Sequence, residues 1–551
     1  MIVKMKHLDL ICVADEKEKT LEALRELGVA HFDLRSAQGA EVAAAEGAAQ
    51  DAEKAVRLIL KARETAAAEP VRVHSVEEIL KVAADREALK SAADELGRTI
   101  RVYEPYGDFD PELVKKIRAA GVDLKGVAEV PEVLPEMRLS KMQEKLARIE
   151  HSIELDTARL AGCDEKAILA KYPELADRIA FEEAKELMGA RGAVAMIAGW
   201  VPVTLVEKLR AAVKANGWGV LLRDPSADET PPTLIEPPRL FRPVKALFEG
   251  LGVMPAYTEA DVSVPFMCYF SIFFAMLVGD GAYGAIFLAA TLWAWKKFGM
   301  NSWVILMTVF SSATIVWGLL SNTWFGAGIP WCADWPTVKW LADPSYHNMM
   351  FLCFTIGVTH LMLARIWNGI CKAPDSTCLA EFGWAGILFS MYCVTNTIVG
   401  IFDAFPKSVY WVFGVSIVLV FGFTLKPNEM KSRGAELGML PLNIMSALGD
   451  IISYVRLFAV GLASVKVAEN FNNMATGLLA GEHTWWVTAL LAIGTVLILL
   501  FGHVLNLMMA GLSILVHAVR LNTLEFSNHK GVSWSGYEFS PFKRKAARKD
   551  F

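Results

Sequence analysis

Residues 448–475 read LGDIISYVRLFAVGLASVKVAENFNNMA. They close a run of apolar residues from 441 to 475, and the run carries Asp450, Arg456, Lys466 and Glu469. At 1.5 Å per residue this is a helix of about 52 Å, against a hydrocarbon core of about 30 Å. Arg456 falls roughly 22 Å along it, too deep to snorkel easily to either end. A central arginine is costly in lipid and is kept mainly where it meets water, a partner or a transported ion. A functional role for Arg456 stands beside a structural pairing with Asp450 or a neighbouring carboxylate. Ala459 and Ala463 give the arginine's face a smooth flank, which suits close helix approach or ordinary packing.

The next apolar segment, 484–522, ends in a similar pattern. Residues 501–526 read FGHVLNLMMAGLSILVHAVRLNTLEF. Gly502, Asn506, Ser513, His517 and Arg520 recur at helical spacing on one face, with His503 flanking it and Glu525 just beyond. Such a stripe could line an aqueous path or satisfy neighbouring helices. Arg520 lies near a helix end, where snorkelling is the competing explanation.

Further apolar segments fall at 264–278, 281–295, 302–322, 348–370, 380–402 and 408–425. The first two are separated by Gly279-Asp280-Gly281, a tight hairpin signal. The expected fold is an α-helical polytopic membrane domain over 261–551, with eight spans, the last two long and tilted. Eight spans put both termini on one side. The loops on that side carry Lys296, Lys297, Lys372, Lys426, Lys431, Arg433, Lys530, Lys543, Arg544, Lys545, Arg548 and Lys549, against Lys339 and Lys407 opposite. The excess of Lys and Arg marks the inner face, so N- and C-termini are expected to be cytoplasmic.

Residues 1–260 differ in kind. They hold most of the charge: only about 34 of the charged residues lie in 251–551. Residues 2–14, a helix stopping at Gly28 and the strand-like VAHFDL read as a βαβ unit without a glycine-rich phosphate turn. Residues 193–224 repeat strand–helix–strand. Between them, 38–68 and 140–187 are rich in Ala, Glu and Lys with thin apolar faces. They suit an antiparallel coiled-coil hairpin or two separate surface helices. Residues 70–136 read as a small mixed lobe. The whole is a cytoplasmic α/β and helical-hairpin arm, linked to the membrane by Pro231-Pro232 and Pro237-Pro238.

The balance of 55 Lys+Arg against 60 Asp+Glu gives a net charge of −5, which does not favour nucleic acid. The 54% hydrophobic content and mean hydropathy of +0.35 exceed an ordinary soluble protein. Eight cysteines form no CxxC pair, and ten histidines form no HExxH, so neither a disulfide framework, a metal site nor a cofactor is expected. The N-terminal apolar run is short and interrupted by Asp9, unlike a signal peptide.

The two arginine motifs resemble the paired terminal helices of the stator subunit of V/A-type rotary ATPases, subunit I in bacteria and archaea and subunit a in eukaryotes. Residues 269–287, YFSIFFAMLVGDGAYGAIF, resemble that family's opening hairpin, and PYGDFDP, IAGWVP and PPTLIEPP resemble its soluble-domain signatures. Ala275 departs from the usual FFG, SNHKG follows the final Glu-Phe, and the soluble half is short. The resemblance implies a non-catalytic subunit of the cell membrane. Arg456 would face the carboxylate of each passing c-ring (proteolipid) subunit, Arg520 would be a second cation, and Glu525 would lie on the cytoplasmic access path. His503, Asn506, Ser513 and His517 are candidate path-lining residues. The implied partners are the c-ring, peripheral-stalk E/G subunits, the central-stalk collar (C/d), the ATPase head indirectly, and the lipid bilayer. Two alternatives predict otherwise. A secondary transporter or channel would show internal repeats and a midplane site, and a membrane-anchored scaffold gives Arg456 no purpose.

Overall fold

The computed structural model describes residues 1–34, 39–65, 75–120, 131, 133–425, 438–481 and 484–544. The chain divides into two compact units. One comprises Lys6–Asp224 with Ser540–Phe551, and the other Met1–Met5 with Pro225–Phe539. Six of the inner-loop cations, Lys426, Lys431, Arg433, Lys545, Arg548 and Lys549, lie outside the described residues.

In the α/β unit, β1 (Met5–Val13) leads to α1 (Lys17–Leu27), which ends at Gly28 as expected. The VAHFDL segment is not a strand. It makes a single bridge, His31 to Trp200, with both backbone bonds at 2.8 Å. Helices α2 (Ala40–Thr65), α3 (Val76–Tyr103), α4 (Pro111–Ala119), α5 (Leu139–Ala161), α6 (Glu165–Leu169) and α7 (Tyr172–Leu187) follow. Then come β2 (Gly189–Arg191), β3 (Val194–Pro202), α8 (Val206–Asn216) and β4 (Gly219–Arg223). The sheet order is β2-β3-β1-β4, with β1 antiparallel to β4 and β2 antiparallel to β3. Alternation puts Leu8, Leu10, Ala195 and Ile197 on one face, where they meet Leu21 and Leu24 of α1 and Leu209 of α8.

The helical part corrects the sequence reading at 70–136. Its described residues hold the 28-residue α3 and the short α4, not strands, and 70–74, 121–130 and 132 lie outside the described residues. A capping box starts it. Ser75 Oγ accepts from the Glu78 N–H, and the Ser75 N–H donates to Glu78 Oε2, each at 3.3 Å. The segment 140–187 is broken rather than continuous, because Asp164 caps α6 and Pro173 opens α7. α3 packs on α5, and α2 on α5 and α7. Ala52, Ala55, Ile59 and Ala62 form the seam of α2, and Ala side chains explain why its apolar face looked thin.

The membrane unit begins with α9 (Val244–Leu251), then α10 (Ser263–Val278) and α11 (Gly281–Phe298). Gly279 turns the chain between them at φ 71°, where a side chain would be strained. Asp280 caps α11 at the Ala282 N–H and also accepts from the Gly326 N–H, both at 2.8 Å. α12 (Ser302–Ser321), α13 (Pro336–Leu341), α14 (His347–Lys372), α15 (Cys378–Ile398), α16 (Lys407–Phe423), α17 (Leu440–Ile452), α18 (Val455–Leu478) and α19 (Trp485–Ser513) complete it. α19 continues through two π-helical stretches, Ile514–Ala518 and Leu521–Phe526, to Lys530.

Among the described residues, five helices are long and apolar enough to cross a membrane: Ser302–Ser321, His347–Lys372, Cys378–Ile398, Leu440–Leu478 and Trp485–Lys530. The last two run to 39 and 46 residues, longer than the sequence predicts. α10 and α11 bend by 119° and count as a sixth span if taken together. Eight crossings require α10, α11 and the 17-residue α16 each to span. Residues 225–260 pack into the membrane unit's core through Ile235, Val244, Leu247, Phe248 and Met254. The C-terminal segment returns to the same residues through isolated bridges, Thr233 to Glu538 and Met254 to Ser535.

Candidate functional site

The 39-residue helix is interrupted where the arginine sits. α17 ends at Ile452 and α18 starts at Val455. Across the break the bonds tighten: Tyr454 N–H to Ile451 O at 3.1 Å, Arg456 N–H to Ser453 O at 3.3 Å, and Leu457 N–H to Tyr454 O at 3.1 Å. These i→i−3 bonds form a 3₁₀-like turn that sets the direction of Arg456.

Opposite lies the π-helical end of the last helix. In such a stretch bonds run between residues five apart, so side chains five apart come together. Arg520 and Glu525 are five apart, and Arg520 Nε donates to Glu525 Oε1 at 3.3 Å. Arg456 Nη2 donates to the same oxygen at 3.0 Å. The structure therefore joins the three residues that the sequence singled out. Glu525 is 3% exposed, and its Oε2 has no partner among the described residues. The Arg456 side chain keeps 22% of its surface and that of Arg520 54%. Asp450, the other carboxylate considered for Arg456, instead meets His529 Nε2 at 3.0 Å.

The stripe on the last helix divides. Asn506 is buried and fully engaged. Its Nδ2 donates to Ser464 O at 2.9 Å and to Tyr283 Oη at 3.1 Å, and its Oδ1 accepts from Ser464 Oγ at 3.0 Å. Tyr283 Oη also lies 2.8 Å from His503 Nδ1. His503 and Asn506 thus join α11 and α18 in one network. Ser513 and His517 are half-buried, and neither belongs to that network; the His517 Nδ1 is buried without a partner among the described residues.

A second polar cluster escaped the sequence reading. Arg365 on α14 donates to Glu381 on α15 at 3.1 Å and, through Nε, to His529 Nδ1 at 3.1 Å. Lys372 Nζ donates to Glu381 at 2.6 Å. Because His529 Nδ1 accepts from arginine, its proton lies on Nε2 and points at Asp450. Arg365, Asn443, Asp450 and His529 line a cavity of about 400 Å³. The signal was available: Arg365 is an uncounted cation inside an apolar segment, and Glu381 opens the next.

Chemically, the Arg456 guanidinium has one anionic partner among the described residues, Glu525, and the exposed Ala459 and Ala463 lie beside it on α18. It can share its charge with a second carboxylate approaching over that bare flank. No group of three or more His, Cys, Asp or Glu residues suited to a metal ion occurs among the described residues.

No family model matches the chain. It is similar to the V-type ATP synthase subunit I of Borreliella burgdorferi, 35% identical over 369 residues that cover 63% of this chain and 60% of that protein. It is also similar to the V-type ATP synthase subunit I 1 of Treponema pallidum, 27% identical over an alignment of 639 residues covering 99% of this chain and 100% of that protein. The A-type ATP synthase subunit I of Methanocaldococcus jannaschii is 26% identical over 471 residues, 78% of this chain and 67% of that protein. Three-fifths of the Borreliella protein's length is thus matched, against the full length of the Treponema one. These relatives are consistently named V- or A-type ATP synthase subunit I, at moderate identity across most of the chain, and they support the family that its arginine motifs resemble.

Proposed function

We propose that this chain is the non-catalytic membrane stator subunit of a V/A-type rotary ATPase. The observation that carries the reading is the Arg456–Glu525–Arg520 cluster at the break between α17 and α18. A guanidinium such as that of Arg456 supplies a fixed positive charge. It stabilises the ionised form of a rotor carboxylate arriving from lipid, so that carboxylate gives up its H+ or Na+ before passing. Glu525 holds the guanidinium between passages. Offset access paths on either side turn ion flow into rotation, and the arginine blocks a direct leak. His503, Asn506, Ser513 and His517 are proposed to lie along one path. The α/β unit is the cytoplasmic arm that anchors the E/G peripheral stalks and meets the collar subunit. Both termini are cytoplasmic in the cell membrane, with eight crossings.

Purification in mild detergent tests the assembly: a small, strongly hydrophobic ring subunit and nucleotide-binding subunits should accompany the chain. Their absence from an intact preparation would favour a free-standing transporter. Sidedness is read at Cys371, which is exposed at the end of α14. An impermeant thiol reagent should miss it in intact cells and reach it in inverted vesicles. Cys12 and Cys163 are buried and would be silent from either side.

A further inference from the structure

Resting on the stator reading, we propose that His360 is a positioning residue that sets Arg456 against Glu525. His360 lies on α14, carries neither charge partner of the cluster, and is 0% exposed. Its ring touches both halves of the site. On one side Nδ1 lies 2.9 Å from Tyr454 Oη, and Tyr454 is the break residue two positions before Arg456. On the other, the imidazole stacks on Phe526, the residue after Glu525, with centroids 4.4 Å apart and planes at 10°. Tyr269 covers the imidazole as well, with centroids 4.0 Å apart and planes at 22°.

The seat for Tyr454 is built by a second residue of α14. At Gly357, one turn before His360, an added Cβ would come within 2.5 Å of Tyr454 Cγ. Gly357 supplies the flat contact and His360 the polar stop, so the phenol ring fits in one depth and one direction. Register matters here: a one-residue slip of the break would carry Arg456 about 100° round the helix axis. α14 also grips the last helix beyond Phe526, where Asn368 Nδ2 donates to His529 O at 3.0 Å and Lys530 Nζ donates to Asn368 Oδ1 at 2.6 Å. A histidine serving only to fill the core would need neither the bond to the break nor the stack beside Glu525.

The test uses the purified rotary complex in vesicles, with subunit content measured alongside ions moved per ATP hydrolysed. Tyr454→Phe and His360→Phe each remove the bond and keep the ring. Both should assemble normally and lose about threefold or more in coupling ratio. The double variant should be no worse than either single, since one bond is removed in each. His360→Ala, which also removes the stack, should lose more; if it fails to assemble, the two phenylalanine variants decide. Normal coupling in both phenylalanine variants overturns the proposal, as does a strictly additive double variant. Arg456→Gln, run in parallel, separates the two ideas. Its retention of coupling would sink the stator reading, whereas its failure beside normally coupled His360→Phe and Tyr454→Phe would sink only the positioning role.

Discussion

The two units solve the burial problem in opposite senses. In the α/β unit Leu8, Leu10, Leu21, Ile59 and Leu209 are buried and most charges face out, Arg86 excepted. In the membrane unit Trp411, Trp485, Met508 and Leu512 are exposed, while Asp280, His360, Glu381, Asn506, Glu525 and His529 are inside. In water, an exposed ion pair is nearly neutral for stability. In lipid, each interior polar group needs its own partner, so the polar pairs carry specificity and function. The inversion also marks where a single substitution should matter most.

The sharpest contrast comes from Glu525. Glu525→Ala leaves Arg456 and Arg520 facing one another without a shared anion. The account expects the unit to insert and ion transport in vesicles to fall at least about tenfold, equivalent to about 1.4 kcal/mol of barrier. Transport at the normal rate would mean that the buried pair only packs the helices.

Loss of a half-buried cation in the α/β unit should instead cost stability. Arg63 closes the break after α5, donating to Ala161 O at 3.0 Å and Cys163 O at 2.7 Å and pairing with Glu165 at 2.5 Å. Arg63→Ala should cost about 2–3 kcal/mol locally, read as faster hydrogen exchange at residues 161–165. The Arg63 hydrogen bond holds the Glu165 carboxyl below its ordinary value. That contribution is complete above the unfolded carboxyl pKa of about 4.3 and is lost as pH falls through the lower folded value. The difference between wild type and variant should therefore narrow in acid. Smaller still is Arg148→Ala, which removes a fully solvated i,i+4 pair with Glu144 at 2.5 Å. Its effect on unfolding should stay within about 0.5 kcal/mol; a larger loss would blur the contrast between the units.

The same difference governs what could be read from the chain. Hydropathy located the apolar segments and the depth of Arg456, because lipid selects strongly on those quantities. It could not show that Arg456 meets Glu525 rather than Asp450. That choice depends on the 3₁₀-like break and on a π-helical phase in which residues 520 and 525 stack, whereas α-helical spacing sets them apart. Arg365 escaped because its partners, Glu381 and His529, are brought to it only by the fold. In the α/β unit, α3 was missed because its apolar face is sparse, although Ser75 and Glu78 marked its start. The VAHFDL strand was overread because β propensity does not supply a neighbouring strand, and the segment makes one bridge, at His31.

Arg456 is proposed to act as a fixed charge in ion translocation. The most direct measurement is ATP-driven ion pumping by vesicles containing the complex with Arg456→Gln, with subunit content checked. Gln keeps hydrogen bonding and removes the charge. The account predicts full assembly with pumping abolished, and severe impairment for Arg456→Lys, which lacks the planar fork. Near-normal pumping by a correctly assembled Arg456→Gln complex would contradict it.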